Sequence, residues 1–168
     1  MEIRRLQADD NGSYSGLWAK ALKEQDEFFR ISFEDEPLPQ IPTQFTVESF
    51  TLGAFADSRL IGTVSLERDG RTKLKHKALL FRMFVHPDIA GQGIGKALLT
   101  EAIAQAEIMA GLRQIYLTVL ARNERAKKLY SSLGFQIFAH EAEAVNFEGV
   151  FVDEYQMVYF LKTRNDLQ

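Results

Sequence analysis

Three glycines at alternate positions, Gly91, Gly93 and Gly95, stand between an apolar run that ends at Val85 and a long helical pattern. Glycine lets the backbone approach a ligand closely, and a helix start behind it presents unpaired N–H groups at the positive end of the dipole. That combination suits a phosphate or pyrophosphate without any cationic side chain. Spacing excludes two phosphate loops. A P-loop needs Gly, four residues, then Gly-Lys-Ser/Thr; here Gly95-Lys96 precedes Ala97, and Ala90 stands where the first Gly belongs. A dinucleotide fingerprint needs a third glycine where Lys96 stands.

Other chemistries find little support. The chain has no cysteine, which removes disulfides, thiolate metal sites and a cysteine nucleophile together. It has no Gly-x-Ser-x-Gly elbow. His76, His86 and His140 show no metal-ligand spacing, so no metal is expected, and His86-Pro87 reads as a turn. A net charge of −3 and a pI near 5.7 argue against nucleic acid as partner, which normally demands a basic excess. No segment has the apolar length of a signal peptide or a bilayer span, so no membrane partner is expected and the location read is cytoplasmic. The 168 residues, 46% hydrophobic and 26% charged, are read as one domain, residues 1–168.

The elements that must position the glycines follow from periodicity. Glu2 to Leu6 reads as a strand, and Ser13 to Glu27 as a helix with Leu17, Trp18, Ala21 and Leu22 on its apolar face. Phe28 to Pro42, with three prolines, reads as a loop or broken helix, and Thr43 to Ser49 as a short helix. Phe50 to Ala56 and Leu60 to Leu66 form a hairpin through Asp57-Ser58-Arg59, and a turn at Asp69-Gly70 leads into the strand ending at Val85. Gly93 to Ala110 is the longest helix, closed by Gly111. Gln114 to Leu120 is a buried strand, Ala121 to Leu133 a helix, and Phe135 opens a further strand. Val150 to Leu161 closes the chain with Phe151, Tyr155, Met157 and Tyr159 on one face. The predicted fold class is α+β (mixed α/β): a twisted, mostly antiparallel central sheet with one parallel crossover, flanked by helices.

With these elements in place, two motifs in order, FRMFVHPDIAGQGIGKALL and LTVLARNERAKKLYSSLGF, resemble the GNAT superfamily of acetyl-CoA-dependent N-acetyltransferases over residues 79–138. The family loop runs Gln or Arg, two residues, Gly, one residue, Gly or Ala. Gly93 and Gly95 fill its last two places, and Ala90 replaces the first. The second pattern, Asn123, Ala126, Leu129-Tyr130 and Gly134-Phe135, is complete. The resemblance implies the GNAT acyl-CoA N-acyltransferase fold, acetyl-CoA as cosubstrate, and these roles. The main chain of Met83, Phe84 and Val85 would pair with the pantetheine arm as an added strand. Gly91, Gln92, Gly93, Ile94, Gly95 and Lys96 would cradle the pyrophosphate. Asn123 would hydrogen-bond the pantetheine, and Tyr130 would protonate the departing thiolate. Read without the resemblance, Asn123 is an N-cap and Tyr130 a core aromatic.

The implied reaction is direct acyl transfer from a thioester to a primary amine of a small molecule or peptide. The amine must lose a proton first, since a free alkylamine titrates at about 10.4. A backbone N–H at Phe84 or Val85 would meet the oxyanion. Many relatives carry a Glu where Leu79 stands, so a base must come from elsewhere; Glu67, Asp153, Glu154 and His76 are candidates, each also readable as a surface residue. Glu24, Asp26, Glu27, Glu34, Asp35 and Glu36 make the segment after the first helix acidic. They either line a site for a cationic acceptor or simply hydrate a loop. Lys73, Lys75 and Lys77, alternating along a strand, either meet phosphates or keep an edge from aggregating. Two alternatives to a small-molecule enzyme stand: a non-catalytic acyl-CoA-binding module and a protein-modifying acetyltransferase of the same fold. The aromatics of the last strand would suit a homodimer seam.

Overall fold

The structure is a computed structural model that describes residues 1–162. One seven-stranded sheet organises it, and the strand order is set by pairing. The strands are β1 (Glu2–Arg5), β2 (Ser49–Ala56), β3 (Arg59–Arg68), β4 (Lys77–Val85), β5 (Gln114–Leu120), β6 (Gln136–Phe147) and β7 (Val150–Phe160). They lie in the order β1-β2-β3-β4-β5-β7-β6. Every neighbouring pair is antiparallel except β4 and β5. Three α-helices flank the sheet: α1 (Asn11–Glu24), α2 (Ile94–Glu107) and α3 (Glu124–Ser132). The mixed sheet and the β4–α2–β5 parallel crossover are those expected from the sequence.

Hydrophobic periodicity dictates two cores. Leu98, Leu99, Ala102 and Ala106 of α2 pack with Leu52, Val64, Leu66 and Ile115 of the sheet. Tyr14, Leu17, Trp18, Ala21 and Leu22 of α1 pack with Leu60 and Phe84. Leu60 and Ile61, adjacent in β3, join different cores because strand side chains alternate. The α1 core carries a polar tie: the Trp18 indole N–H donates to Thr63 Oγ1 at 3.0 Å, with both side chains dry.

Local chemistry accounts for the departures from expectation. The expected helix at Thr43 to Ser49 is absent. Thr46 Oγ1 accepts from Ser49 N at 3.0 Å and Ser49 Oγ from Gln44 N at 3.0 Å, bonds that compete with a helical ladder. Helix α1 stops at Glu24, and Asp26–Phe28 turn separately as a 3-10 helix. Helix α2 ends at Glu107, ahead of Gly111, whose φ of 74° turns the chain away. Helix α3 starts only at Glu124, since Ala121 N still donates to Asp153 O at 2.8 Å. Lys73 and Lys75 fall in a turn before β4, so the expected lysine-studded strand face does not form. Phe151 is exposed while Met157 is buried, although both lie on the alternating face of β7. The two-residue hairpin at Asp57 (φ 46°) and Ser58 (φ 65°) has the handedness that matches strand twist.

Thr63→Val keeps the shape of the residue but strands the Trp18 indole N–H in the dry core. A stability loss of about 1–3 kcal/mol is expected, read as a lower urea midpoint with an unchanged slope.

Candidate active site

The site begins where pairing stops. Strands β4 and β5 share three rungs, Lys77–Gln114, Ala78–Ile115 and Leu79–Tyr116, and no further rung joins them. Strand β3 pairs Thr63 with Phe84 and Ser65 with Phe81, so one residue of β3 faces two of β4, Arg82 and Met83. This is a bulge, and it bends β4. Arg82 takes a φ of 51°, a left-handed conformation that costs an arginine about 1–2 kcal/mol. Its guanidinium pairs with Glu36 and lies over the Trp18 ring at 5.4 Å. Thr63 Oγ1 also donates to the Arg82 carbonyl at 3.4 Å.

A cleft of about 690 Å³ opens in the gap. One wall is β4 from Leu79 to Val85, which contains the predicted Met83, Phe84 and Val85. Its mouth holds Gly91, Gly93, Ile94, Gly95 and Lys96. Gln92 is exposed and is not among the lining residues. Gly91 (φ 88°) and Gly93 (φ 80°) have open space where a Cβ would stand, and Gly93 caps α2 without a side-chain bond. The first amides of α2 therefore face the mouth without a capping oxygen. Gly95 serves packing as well: a Cβ there would lie 3.1 Å from both Leu129 Cδ2 and Met83 Cε.

The second wall is the end of β5 and helix α3. Asn123 lines it and is the N-cap, its Oδ1 accepting from Ala126 N at 3.1 Å. Tyr130 lines the same wall, buried, with its ring 5.9 Å from Phe135. Burial pushes its phenol well above the ordinary range, so it is neutral and protonated at any physiological pH. The expected pair, the N-cap of α3 and a residue about two turns along the same helix, thus lies in one cleft with the glycine turn.

The third wall belongs to the segment after α1. Phe29 meets Trp18 edge-on and Phe84 at a tilt, with centroids 5.3 and 6.3 Å away, and Phe28, Arg30 and Ile31 continue the lining. None of the six predicted acids lines the cleft. Glu36 neutralises Arg82, Asp35 accepts from Ser32 N at 2.9 Å, Glu24 lies 3.9 Å from Lys20, Glu27 and Glu34 are exposed, and Asp26 is half-buried outside the lining. Of the base candidates, only Glu154 reaches the cleft. Asp153 is held instead by Glu143 N and His140 at 2.9 and 2.8 Å, which lower its pKa, and Glu67 and His76 lie elsewhere. Sequence reasoning misses Arg82 and Arg30; the one clue is an arginine inside an otherwise apolar strand. Among the described residues no three His, Cys, Asp or Glu side chains are grouped to hold a metal. No described helix is long and apolar enough to cross a membrane.

Known proteins share this architecture. The acetyltransferase (GNAT) family pattern matches residues 18–135. A spermidine N(1)-acetyltransferase of Thermoplasma acidophilum is 29% identical over 153 residues, 82% of this chain and 89% of that protein. A ribosomal protein bS18-alanine N-acetyltransferase of Escherichia coli is 44% identical over 59 residues, 35% and 39% of the two chains. An acetyltransferase of Streptococcus pneumoniae superposes with a TM-score of 0.82 at 24% identity, over 96% of this chain and 99% of that one. The yncA protein of Salmonella typhimurium, solved with its cofactor acetyl-CoA, superposes at 0.80 and 18% identity, over 98% and 95%.

Glu36→Ala leaves the Arg82 guanidinium without its partner over the bulge. A loss of about 1–2 kcal/mol is expected, together with faster limited proteolysis within residues 29–48.

Proposed function

The chain belongs to the acetyltransferase (GNAT) family, an N-acetyltransferase using acetyl-CoA, and on that premise we propose how its residues divide the work. One observation carries the reading: the glycine turn and the Asn123–Tyr130 wall face the same gap between β4 and β5. Residues 1–168 act as one domain. The unpaired edge of β4 at Met83, Phe84 and Val85 takes the pantetheine arm as an extra strand. The turn from Gly91 to Lys96, Gln92 included for its main chain, takes the pyrophosphate on the open amides of α2. Asn123 spends its carbonyl oxygen on capping, which holds the side chain still and leaves the amide NH2 for the pantetheine.

The amine attacks the thioester carbonyl carbon, a C–N bond forms, and the C–S bond breaks. A β4 amide at Phe84 or Val85 receives the oxyanion. Tyr130 donates to the sulfur as thiolate charge develops. Its burial keeps the phenol protonated until then, and the second amine proton restores it. The relatives named above act on a polyamine in one case and a protein alanine in the other, so the shared chemistry is a primary amine. A location in the cytoplasm and a homodimer through the exposed Phe138, Val150 and Phe151 of β6 and β7 complete the reading. Leu79, in place of the Glu of many relatives, favours the non-catalytic alternative.

Thiol release from acetyl-CoA over a panel of amines, polyamines and peptides separates these: turnover on any of them is expected, and binding without turnover would favour the module. Tyr130→Phe should lower kcat by about 100-fold or more with acetyl-CoA affinity nearly unchanged. Wild-type turnover in that variant would remove the acid role.

A further inference from the structure

One carboxylate is buried in the cleft wall. Glu154 is 1% exposed although it lines the cleft, and it is the only acid that does so among the described residues. The register of β7 on β5 puts it there, opposite Leu120 at the end where β5 has already left β4. Oε2 lies 3.4 Å from Arg30 Nε, too long for a strong hydrogen bond, and Oε1 is buried with no partner. Arg30 itself is more than half exposed, on a segment without regular structure.

A buried carboxylate half satisfied by a solvent-exposed cation is costly to keep, since the group pays desolvation without full pairing. The arrangement suits an exchange of one cation for another. Resting on the transferase reading above, we propose that Glu154 receives the acceptor's ammonium and takes its proton, and that Arg30 holds the ammonium's place in the free enzyme. The acceptor class is a primary alkylammonium, whose head would meet Glu154 in the cleft that Phe28, Phe29 and Arg30 also line. Ionised Glu154 removes one proton from R–NH3+, and the freed lone pair forms the C–N bond. The second amine proton ends on the coenzyme A sulfur by way of Tyr130, and Glu154 returns its own proton to solvent.

The groups acting on this carboxyl come from three sides. Burial raises its pKa first, Arg30 opposes that, Glu141 across on β6 adds to it, and Thr118 on β5 opposes it. Arg82 on β4 and Arg125 on α3 line the same cleft. A carboxyl raised in this way works as a base only above its pKa, so kcat/KM should fall on acidification.

The test measures kcat/KM for an alkylamine against pH, together with equilibrium binding of acetyl-CoA, in wild type, Glu154→Gln and Arg30→Gln. Glu154→Gln should bind acetyl-CoA normally, lose about 100-fold or more in kcat/KM, and lose the acidic limb. Arg30→Gln should lower the acceptor KM about two- to five-fold, the scale of an exposed ion pair, and move the acidic limb to higher pH. Glu154→Gln with wild-type kcat/KM, or with acetyl-CoA binding also lost, would overturn the base role. An unchanged or raised acceptor KM in Arg30→Gln would overturn the exchange. Wild-type enzyme that binds acetyl-CoA but turns over no amine would instead remove the transferase reading, and the role of Glu154 with it.

Discussion

The structure depends on a strand pair that starts and does not finish. Strands β4 and β5 are parallel neighbours for three rungs and then part, leaving polar main chain along β4 with no sheet partner. Unpaired backbone groups in a protein interior are tolerated only where water or a ligand can meet them. The gap therefore leaves that edge of β4 open to water or to a ligand. What the molecule must supply is a reason for β4 to stay bent.

Several modest contacts supply it. The bulge at Arg82 and Met83 redirects the strand, and the left-handed backbone at Arg82 would be costly alone. Trp18 reaches Thr63, Thr63 reaches the Arg82 carbonyl, and Glu36 with the Trp18 ring holds the guanidinium. Helix α1 and the segment after it are thereby fastened to the bulge, which is why an irregular stretch can serve as a cleft wall. Exposed pairs such as Asp69–Arg71 contribute little by comparison, because solvent screens them.

Electrostatics in the cleft follow from burial. Tyr130 stays neutral because no charge near it compensates a phenolate in an apolar wall. Glu154 is pushed in the same direction, toward the protonated form, but a cation from the opposite wall pulls it back. The two groups are thus poised differently by one medium. Arg82, equally close to apolar surroundings, keeps its charge through Glu36. The relatives' fold is retained at 18–24% identity in the superposed structures, as expected when backbone pairing and core volume define it.

Periodicity and glycine spacing were enough to place the strand–turn–helix around Gly93, the buried strand Gln114 to Leu120 with its bounds, and the cap and aromatic of α3. These are local signals, carried by side-chain alternation and by turns that need a positive φ. The helix expected at Thr43 to Ser49 was illegible as a loop because its hydroxyls act on backbone atoms only once the chain is bent. Nothing local announces the bulge at Arg82, since its conformation is held from α1 and Glu36, far away in sequence. The acids near Glu27 were open to two readings, a cationic-acceptor site or a hydrated loop, and in the fold Phe28 and Phe29 line the cleft while those acids do not. Glu154 was one acid among four candidates until the β5–β7 register carried it, and it alone, into the cleft. Residue types set the available chemistry, while long-range strand pairing chose which residues meet.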